Sequence, residues 1–157
     1  MVNTLIFDFA RVLLLPKMEM PGSMETFHKG GMEREGYSFV DYFVLNDQLL
    51  SYLEKIKSQY DLYIFTTSML QNEPGVIERV RPLFKRIFTV DEIGFSKKDP
   101  QSFQEILKII KREPNEVIFI DDTLQNIESA NKAEIRAIRF QSNEQLFKEL
   151  STHLHVN

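Results

Sequence analysis

Short, largely apolar runs recur along the 157-residue chain, and polar residues follow each of them. The runs span residues 4–7, 62–65, 86–90, 117–120 and 137–140. Runs of this length without alternation are typical of parallel strands that are covered on both faces. The pattern therefore predicts a buried parallel sheet.

Amphipathic helical patterns lie between these runs. Apolar side chains recur at the spacing of one helix face in two stretches, at Leu49, Leu50, Leu53 and Ile56 and at Phe103, Ile106, Leu107 and Ile110. Pro100 indicates the start of the second helix, and Pro114 follows its end. Strands that alternate with helices favour right-handed crossovers. We therefore expect a doubly wound three-layer α/β/α (Rossmann-like) fold around a central parallel sheet.

The stretch 16–44 departs from this alternation. It holds four of the six Met and four of the six Gly residues and has no sustained period of either kind. Long segments of this kind in compact domains are usually functional lids or disordered. We expect a single domain over 1–157 in which 16–44 is a short cap insertion after the first strand, mobile or loosely helical. His28 falls in this segment and is expected to be an exposed loop residue.

Composition restricts the chemistry and the partners. The chain has no Cys, which excludes zinc-thiolate sites and cysteine nucleophiles. Its 19 basic and 23 acidic side chains give a net charge of −4, which argues against a nucleic-acid partner. No apolar run approaches the ~20 residues that a membrane span needs, so we expect no membrane partner and a cytoplasmic location. The oligomeric state stays open.

Polar residues with metal- and phosphate-binding chemistry stand where the predicted strands end. In open α/β sheets, ligands bind outside the carboxyl ends of the strands. The residues at these positions are Asp8, Thr66, Thr67, Ser68, Asp121 and Asp122, and Lys97 and Lys98 precede the helix that begins near Pro100. Carboxylates suit a hard cation, and hydroxyls and a lysine suit a phosphate group. Each alone could equally cap a helix or close a turn.

Four segments resemble, in order, the four motifs of the haloacid dehalogenase-like (HAD) hydrolase superfamily. The first is an apolar strand that ends in the nucleophilic Asp, and the second is a strand that ends in Ser or Thr. The third carries a Lys shortly before a Pro, and the fourth has two acids followed by an Asn. The matching segments are 5–13, 64–67, 88–103 and 117–126.

The resemblance implies a Mg²⁺-dependent phosphohydrolase or phosphotransferase that acts on a small phosphorylated metabolite. In such enzymes the first Asp, here Asp8, forms an aspartyl-phosphate that divides one difficult displacement into two easier ones. The resemblance further implies that Mg²⁺ is held by Asp8, Asp121, Asp122 and the main-chain carbonyl of Ala10. It assigns Thr66 and Lys97 to the transferring oxygens, Lys97 being preferred to Lys98 on register, with Asn126, Thr67 and Lys98 secondary.

One departure from the family pattern leaves alternatives open. Phosphatases of the family normally carry a second Asp two residues after the nucleophile, where this chain has Ala10. General acid–base help is typically worth ~10²–10⁴-fold, so a site without it should be slow on poor leaving groups. The alternatives are a catalytically weakened binding or regulatory protein with the same fold and, against the evidence of the acidic pair, a 2-haloacid dehalogenase.

Overall fold

The computed structural model describes residues 1–155. Its helices and strands are, in chain order, β1 (Thr4–Phe7), β2 (Leu14–Pro16), α1 (Met24–Met32), α2 (Phe39–Tyr42), β3 (Phe43–Leu45), α3 (Asp47–Ile56), β4 (Asp61–Thr66), α4 (Ile77–Val80), β5 (Arg86–Thr89), α5 (Val90–Ile93), α6 (Pro100–Ile110), β6 (Val117–Asp121), α7 (Leu124–Lys132), β7 (Arg136–Arg139) and α8 (Asn143–Ser151). Short 3-10 turns occur at Leu70–Asn72, Arg81–Leu83 and Pro114–Glu116.

The central sheet is parallel throughout and has the order β5-β4-β1-β6-β7. The first strand of the chain lies in its middle, with β4 on one side and β6 on the other. Phe7 is level with Ile64 of β4 and with Ile120 of β6. The residues that follow these three strands therefore emerge side by side at one edge.

Side chains of the sheet alternate between two apolar layers, as a pleated strand requires. Leu5 and Phe7 pack on the face covered by α3 and α8. Ile6 points to the opposite face, where Phe103 and Ile106 of α6 and the apolar side of α7 cover it. Because both faces of the sheet are covered, its strands need apolar residues at every position, and this explains the uninterrupted runs in the sequence.

The predicted three-layer fold is confirmed. Each predicted strand coincides with an observed one to within one residue at either end, and the two predicted helices are α3 and α6. Asp99 caps α6 by accepting the N–H of Gln101 at 3.0 Å, and Pro100 occupies its first position. Among residues 1–155, no helix combines the length and the apolar character that crossing a membrane requires.

Segment 16–44 is more regular than expected. It contains α1, α2 and most of β3, and β3 pairs antiparallel with β2 in a small separate sheet. The helix α1 begins after Ser23, whose hydroxyl accepts the N–H of Thr26 at 3.3 Å. The sequence pattern concealed this helix because it carries Gly30 and Gly31, which are poor helix formers. Gly31 is needed there, since a Cβ at this position would overlap the ring of Tyr37.

The expectation that His28 is an exposed loop residue is wrong. His28 lies on α1 and is buried. Its Nδ1 is 2.8 Å from the hydroxyl of Tyr37, and its Nε2 is 3.0 Å from the carboxylate of Glu73, in the loop that follows β4. The rings of Phe39 and Phe43 pack against it edge to face. His28 thus connects segment 16–44 to the core of the protein.

The packing of α6 on the sheet can be tested by two truncations on the same helix. Phe103 is fully buried between Phe65 and Phe119, whereas Ile109 is 44% exposed. We expect Phe103→Ala to lower the free energy of unfolding in urea by about 3–5 kcal/mol. The control Ile109→Ala should change it by less than about 0.5 kcal/mol. Equal effects of the two substitutions would contradict the assignment of the buried face of α6.

Candidate functional site

Three carboxylates converge at the carboxyl edge of the sheet. Asp8 follows β1, Asp121 is the last residue of β6, and Asp122 comes next. The parallel pairing of β1 with β6 brings them together although they are far apart in the chain. One oxygen from each lies within 4.8 Å of the others. Oxygen donors at this spacing suit a hard divalent cation such as Mg²⁺.

The ammonium group of Lys97 is buried among these carboxylates. Its Nζ donates to Oδ1 of Asp8 in a short contact and to Oδ2 of Asp121 at 3.2 Å. The side chain is 3% exposed, and its ammonium lies 5.4 Å and 5.9 Å from the ring centroids of Phe65 and Phe119. Lys97 therefore reaches the site through an apolar layer and has acidic groups as its partners there.

Asp121 is fixed by neighbours besides Lys97. Its Oδ1 accepts the N–H of Thr123 at 2.8 Å, and its Oδ2 accepts from the side-chain amide of Asn126 at 3.0 Å. Asn126 lies on α7, directly after the acidic pair. A carboxylate with donors on both oxygens cannot rotate freely. Thr123 and Asn126 therefore hold the Asp121 carboxylate in one orientation.

Two of the three acids in the site have raised pKa values. Burial raises the pKa of Asp8 to about 7, because it outweighs the attraction of Lys97, and the charge of Asp121 adds to the increase. Burial and the neighbouring Asp121 also raise the pKa of Asp122. Burial alone would lower the pKa of Lys97, but Asp8 and Asp121 more than reverse this, so Lys97 stays charged. The site has one cation for three carboxylates, so a further positive charge would be favourable there.

A cavity of about 200 Å³ opens over these groups. On the side of the core it is lined by Asp8, Ala10, Lys97, Asp122 and Asn126. A larger cavity of about 550 Å³ lies where β1, β6 and β7 begin, at the opposite edge of the sheet. The smaller cavity is the functional candidate because it contains the carboxylates and the buried ammonium.

In the loop after β4, the hydroxyl-bearing residues that line the cavity are not Thr66 but its two successors. The hydroxyl of Thr66 accepts the N–H of Ser68 at 3.0 Å and is fully buried in this turn. Thr67 and Ser68 line the cavity instead. Of the two lysines, Lys97 faces the carboxylates, whereas Lys98 is exposed.

Sequence reasoning missed two charged residues that line the cavity, Arg11 and Glu25. Arg11 has a left-handed backbone, with φ of 64°, and its guanidinium donates to the carbonyls of Met20 at 2.6 Å and Gly22 at 2.9 Å. The sequence did offer a signal for Arg11, because it is a single basic residue between apolar neighbours in the loop after Asp8. Glu25 lies in the first turn of α1, a helix that the sequence pattern did not reveal.

Comparison with known families agrees with this geometry. Residues 24–140, most of the chain, match the model of the haloacid dehalogenase-like hydrolase family. The chain belongs to this family. A HAD-like family hydrolase from Porphyromonas gingivalis has the same fold, with a TM-score of 0.69, 14% identity and full coverage of both chains. A HAD family enzyme from Bacteroides thetaiotaomicron, in complex with magnesium and inorganic phosphate, has a TM-score of 0.67 and 17% identity over 93% of this chain and 99% of that one.

Curated relatives of this chain are longer proteins. A phosphorylated carbohydrates phosphatase from Thermotoga maritima is 28% identical over 131 residues, which is 80% of this chain and 60% of the relative. A drimenol cyclase from Aspergillus calidoustus is 32% identical over 69 residues, which is 44% of this chain and 13% of the relative. The chain thus spans less than two thirds of the length of these relatives.

The pairing of Lys97 can be tested by stability. In Lys97→Met two buried carboxylates lose their cation, so we expect the free energy of unfolding at pH 8 to fall by about 3–5 kcal/mol. Without Lys97, the pKa of Asp8 in the folded protein would rise further above its value in the unfolded chain. The loss of stability relative to the unmodified protein should therefore grow as the pH rises and shrink towards pH 5. Urea unfolding at both pH values measures this.

The exposed neighbour provides the control for this experiment. Lys98→Met should change the free energy of unfolding by less than about 0.5 kcal/mol at either pH. A loss that is the same for Lys97→Met and Lys98→Met, or that does not vary between pH 5 and pH 8, would contradict the role of Lys97 as the counter-ion of Asp8.

Proposed function

We propose that this HAD hydrolase is a Mg²⁺-dependent phosphatase of small phosphorylated metabolites, with Asp8 as its nucleophile. The observation that carries the proposal is the cavity over Asp8, in which a buried ammonium and two further carboxylates surround this one side chain. Two comparisons support it, namely the phosphatase activity in the name of the Thermotoga relative and the magnesium and phosphate bound to the Bacteroides enzyme.

The donor set of the site fits Mg²⁺. Asp8, Asp121 and Asp122 offer three carboxylate oxygens within 4.8 Å of one another, and Ala10, whose main-chain carbonyl is the fourth candidate ligand, lines the same cavity. Two negative charges stay uncompensated by Lys97 when all three acids are ionised. A bound Mg²⁺ would supply charge neutralisation between the anionic nucleophile and the anionic phosphate.

The residues of the chain have distinct roles in this proposal. The free carboxylate oxygen of Asp8 attacks phosphorus, and the leaving oxygen departs as an aspartyl-phosphate forms. Lys97 holds Asp8 in place through Oδ1 and adds positive charge beside the transferring group. Thr67 and Ser68 take the hydrogen-bonding role first expected of Thr66, because they border the cavity. Asn126 and Lys97 keep Asp121 in position.

Segment 16–44 acts as a short cap in this proposal. Ser23, Met24 and Glu25, at the start of α1, line the cavity opposite the sheet edge. A cavity of about 200 Å³ holds several times the ~30 Å³ share of one liquid water molecule. This space accommodates a phosphate group with a small organic part, as in a small phosphorylated metabolite.

The proposal predicts activity on an aryl phosphate in the presence of Mg²⁺. Such a substrate is suitable because its leaving group departs without an acid. We expect release of inorganic phosphate that chelation of the metal abolishes and that Asp8→Asn lowers by at least about 10³-fold, because the nucleophile is lost.

Controls for the aryl phosphate experiment come from the same chain. The variant Asp91→Asn, on the exposed surface of α5, should retain the activity of the unmodified protein. Turnover by Asp8→Asn equal to that of the unmodified protein would contradict the proposal. Phosphate binding without turnover would favour the binding or regulatory alternative, and release of chloride from 2-chloropropionate would favour the dehalogenase.

A further inference from the structure

The cap contributes one acidic side chain to the cavity. Glu25 lies in the first turn of α1 and borders the same space as Asp8 and Ala10. Its side chain is 19% exposed, so it is mostly shielded from bulk water. It is also a cap residue with proton-transfer chemistry that lines the same cavity as the nucleophile.

Phosphatases of this family normally carry a proton-transferring Asp two residues after the nucleophile, and this chain has Ala10 there. The methyl group of Ala10 can neither give nor take a proton. Of the carboxylates that line the cavity in the described part of the chain, Asp8 is the proposed nucleophile and Asp122 a proposed metal ligand. Lys97 is held as a cation by two carboxylates. Glu25 is the remaining acidic side chain there.

Two basic residues help to place Glu25. Nζ of Lys29, one turn further along α1, lies 3.0 Å from Oε1 of Glu25 and forms an ion pair with it. Arg11, in the loop after Asp8, donates to the carbonyls of Met20 and Gly22 just before α1. Because these bonds connect the nucleophile loop to the chain that leads into α1, they place the start of the helix over the cavity.

We propose that Glu25 is the general base that activates water for hydrolysis of the aspartyl-phosphate on Asp8. This inference rests on the proposed phosphatase function. The carboxylate of Glu25 takes one proton from a water molecule as the water oxygen bonds to phosphorus. The bond between phosphorus and the Asp8 oxygen breaks, and its electron pair returns to the Asp8 carboxylate. Inorganic phosphate leaves, and Glu25 gives its proton to solvent.

This assignment also indicates the class of substrate. Glu25 acts in this proposal as the base of the second step, and Ala10 offers no acid for the leaving group of the first. Phosphoryl transfer to Asp8 therefore proceeds without acid assistance, whereas hydrolysis of the aspartyl-phosphate is assisted by a base. Such a site favours phosphate donors whose leaving group is stable as an anion, such as acyl phosphates and aryl phosphates, over simple alkyl phosphates.

The second step can be measured by itself. The protein is mixed with Mg²⁺ and acetyl phosphate, excess donor is removed, and the decay of the phosphoenzyme is followed by quenching. We expect Glu25→Gln to form the phosphoenzyme and to slow its decay by about 10²–10⁴-fold. The control Glu33→Gln, at the exposed end of α1, should decay at the rate of the unmodified protein.

A second variant separates a chemical role of Glu25 from a structural one. In Glu25→Ala, added formate should accelerate decay of the phosphoenzyme in a concentration-dependent way, whereas it should leave the unmodified protein unaffected. If the phosphoenzyme of Glu25→Gln decays at the unmodified rate while Asp8→Asn forms no phosphoenzyme, the role of Glu25 is overturned. The phosphatase proposal would survive that result. Equal phosphorylation of Asp8→Asn and the unmodified protein would instead overturn the phosphatase proposal. Slow decay in Glu25→Ala that formate does not relieve would also count against a general base.

Discussion

The buried ammonium of Lys97 is the constraint on which the functional end of this protein depends. Asp8 and Asp121 lie side by side because two parallel strands end there, and two ionised carboxylates without a cation would repel each other strongly in a buried setting. Lys97 contacts both. Its ammonium lies near the rings of Phe65 and Phe119, and its side chain is shielded from water. The fold can therefore keep acidic groups together where a ligand can reach them.

The same arrangement explains why the site suits a divalent cation and a phosphate. Three carboxylates exceed the charge of one lysine, and burial raises the pKa of Asp8 to about 7. Additional positive charge would lower this pKa again and keep the nucleophile ionised. A phosphate group in turn needs cations beside it. The three carboxylates thus attract a metal ion, and that ion would add the positive charge that a phosphate group needs.

The sequence predicted the parts of the structure that depend on local pattern. Strands covered on both faces need continuous apolar runs, so β1, β4 and β6 could be placed almost to the residue, and with them Asp8 and Asp121. Lys97 was preferred over Lys98 on register, and the structure buries Lys97.

The features that the sequence did not predict depend on contacts between distant segments. The helix α1 has glycines in its last turn, and its buried face is completed by Tyr37. Buried His28 pairs with Glu73, 45 positions away. Thr66 turns its hydroxyl into its own loop, a conformation that strand propensity does not indicate. The position of Glu25 follows from α1, so it could be recognised only once that helix was placed.

The role of Asp8 can be tested by locating the phosphoryl group on the protein. The protein is incubated with acetyl phosphate and Mg²⁺, reduced with borohydride, digested, and analysed by mass spectrometry. We expect that Asp8 alone is converted to the product of a reduced aspartyl-phosphate and that the conversion requires Mg²⁺. A modification at another residue, or none while Mg²⁺ is shown to bind, would contradict it.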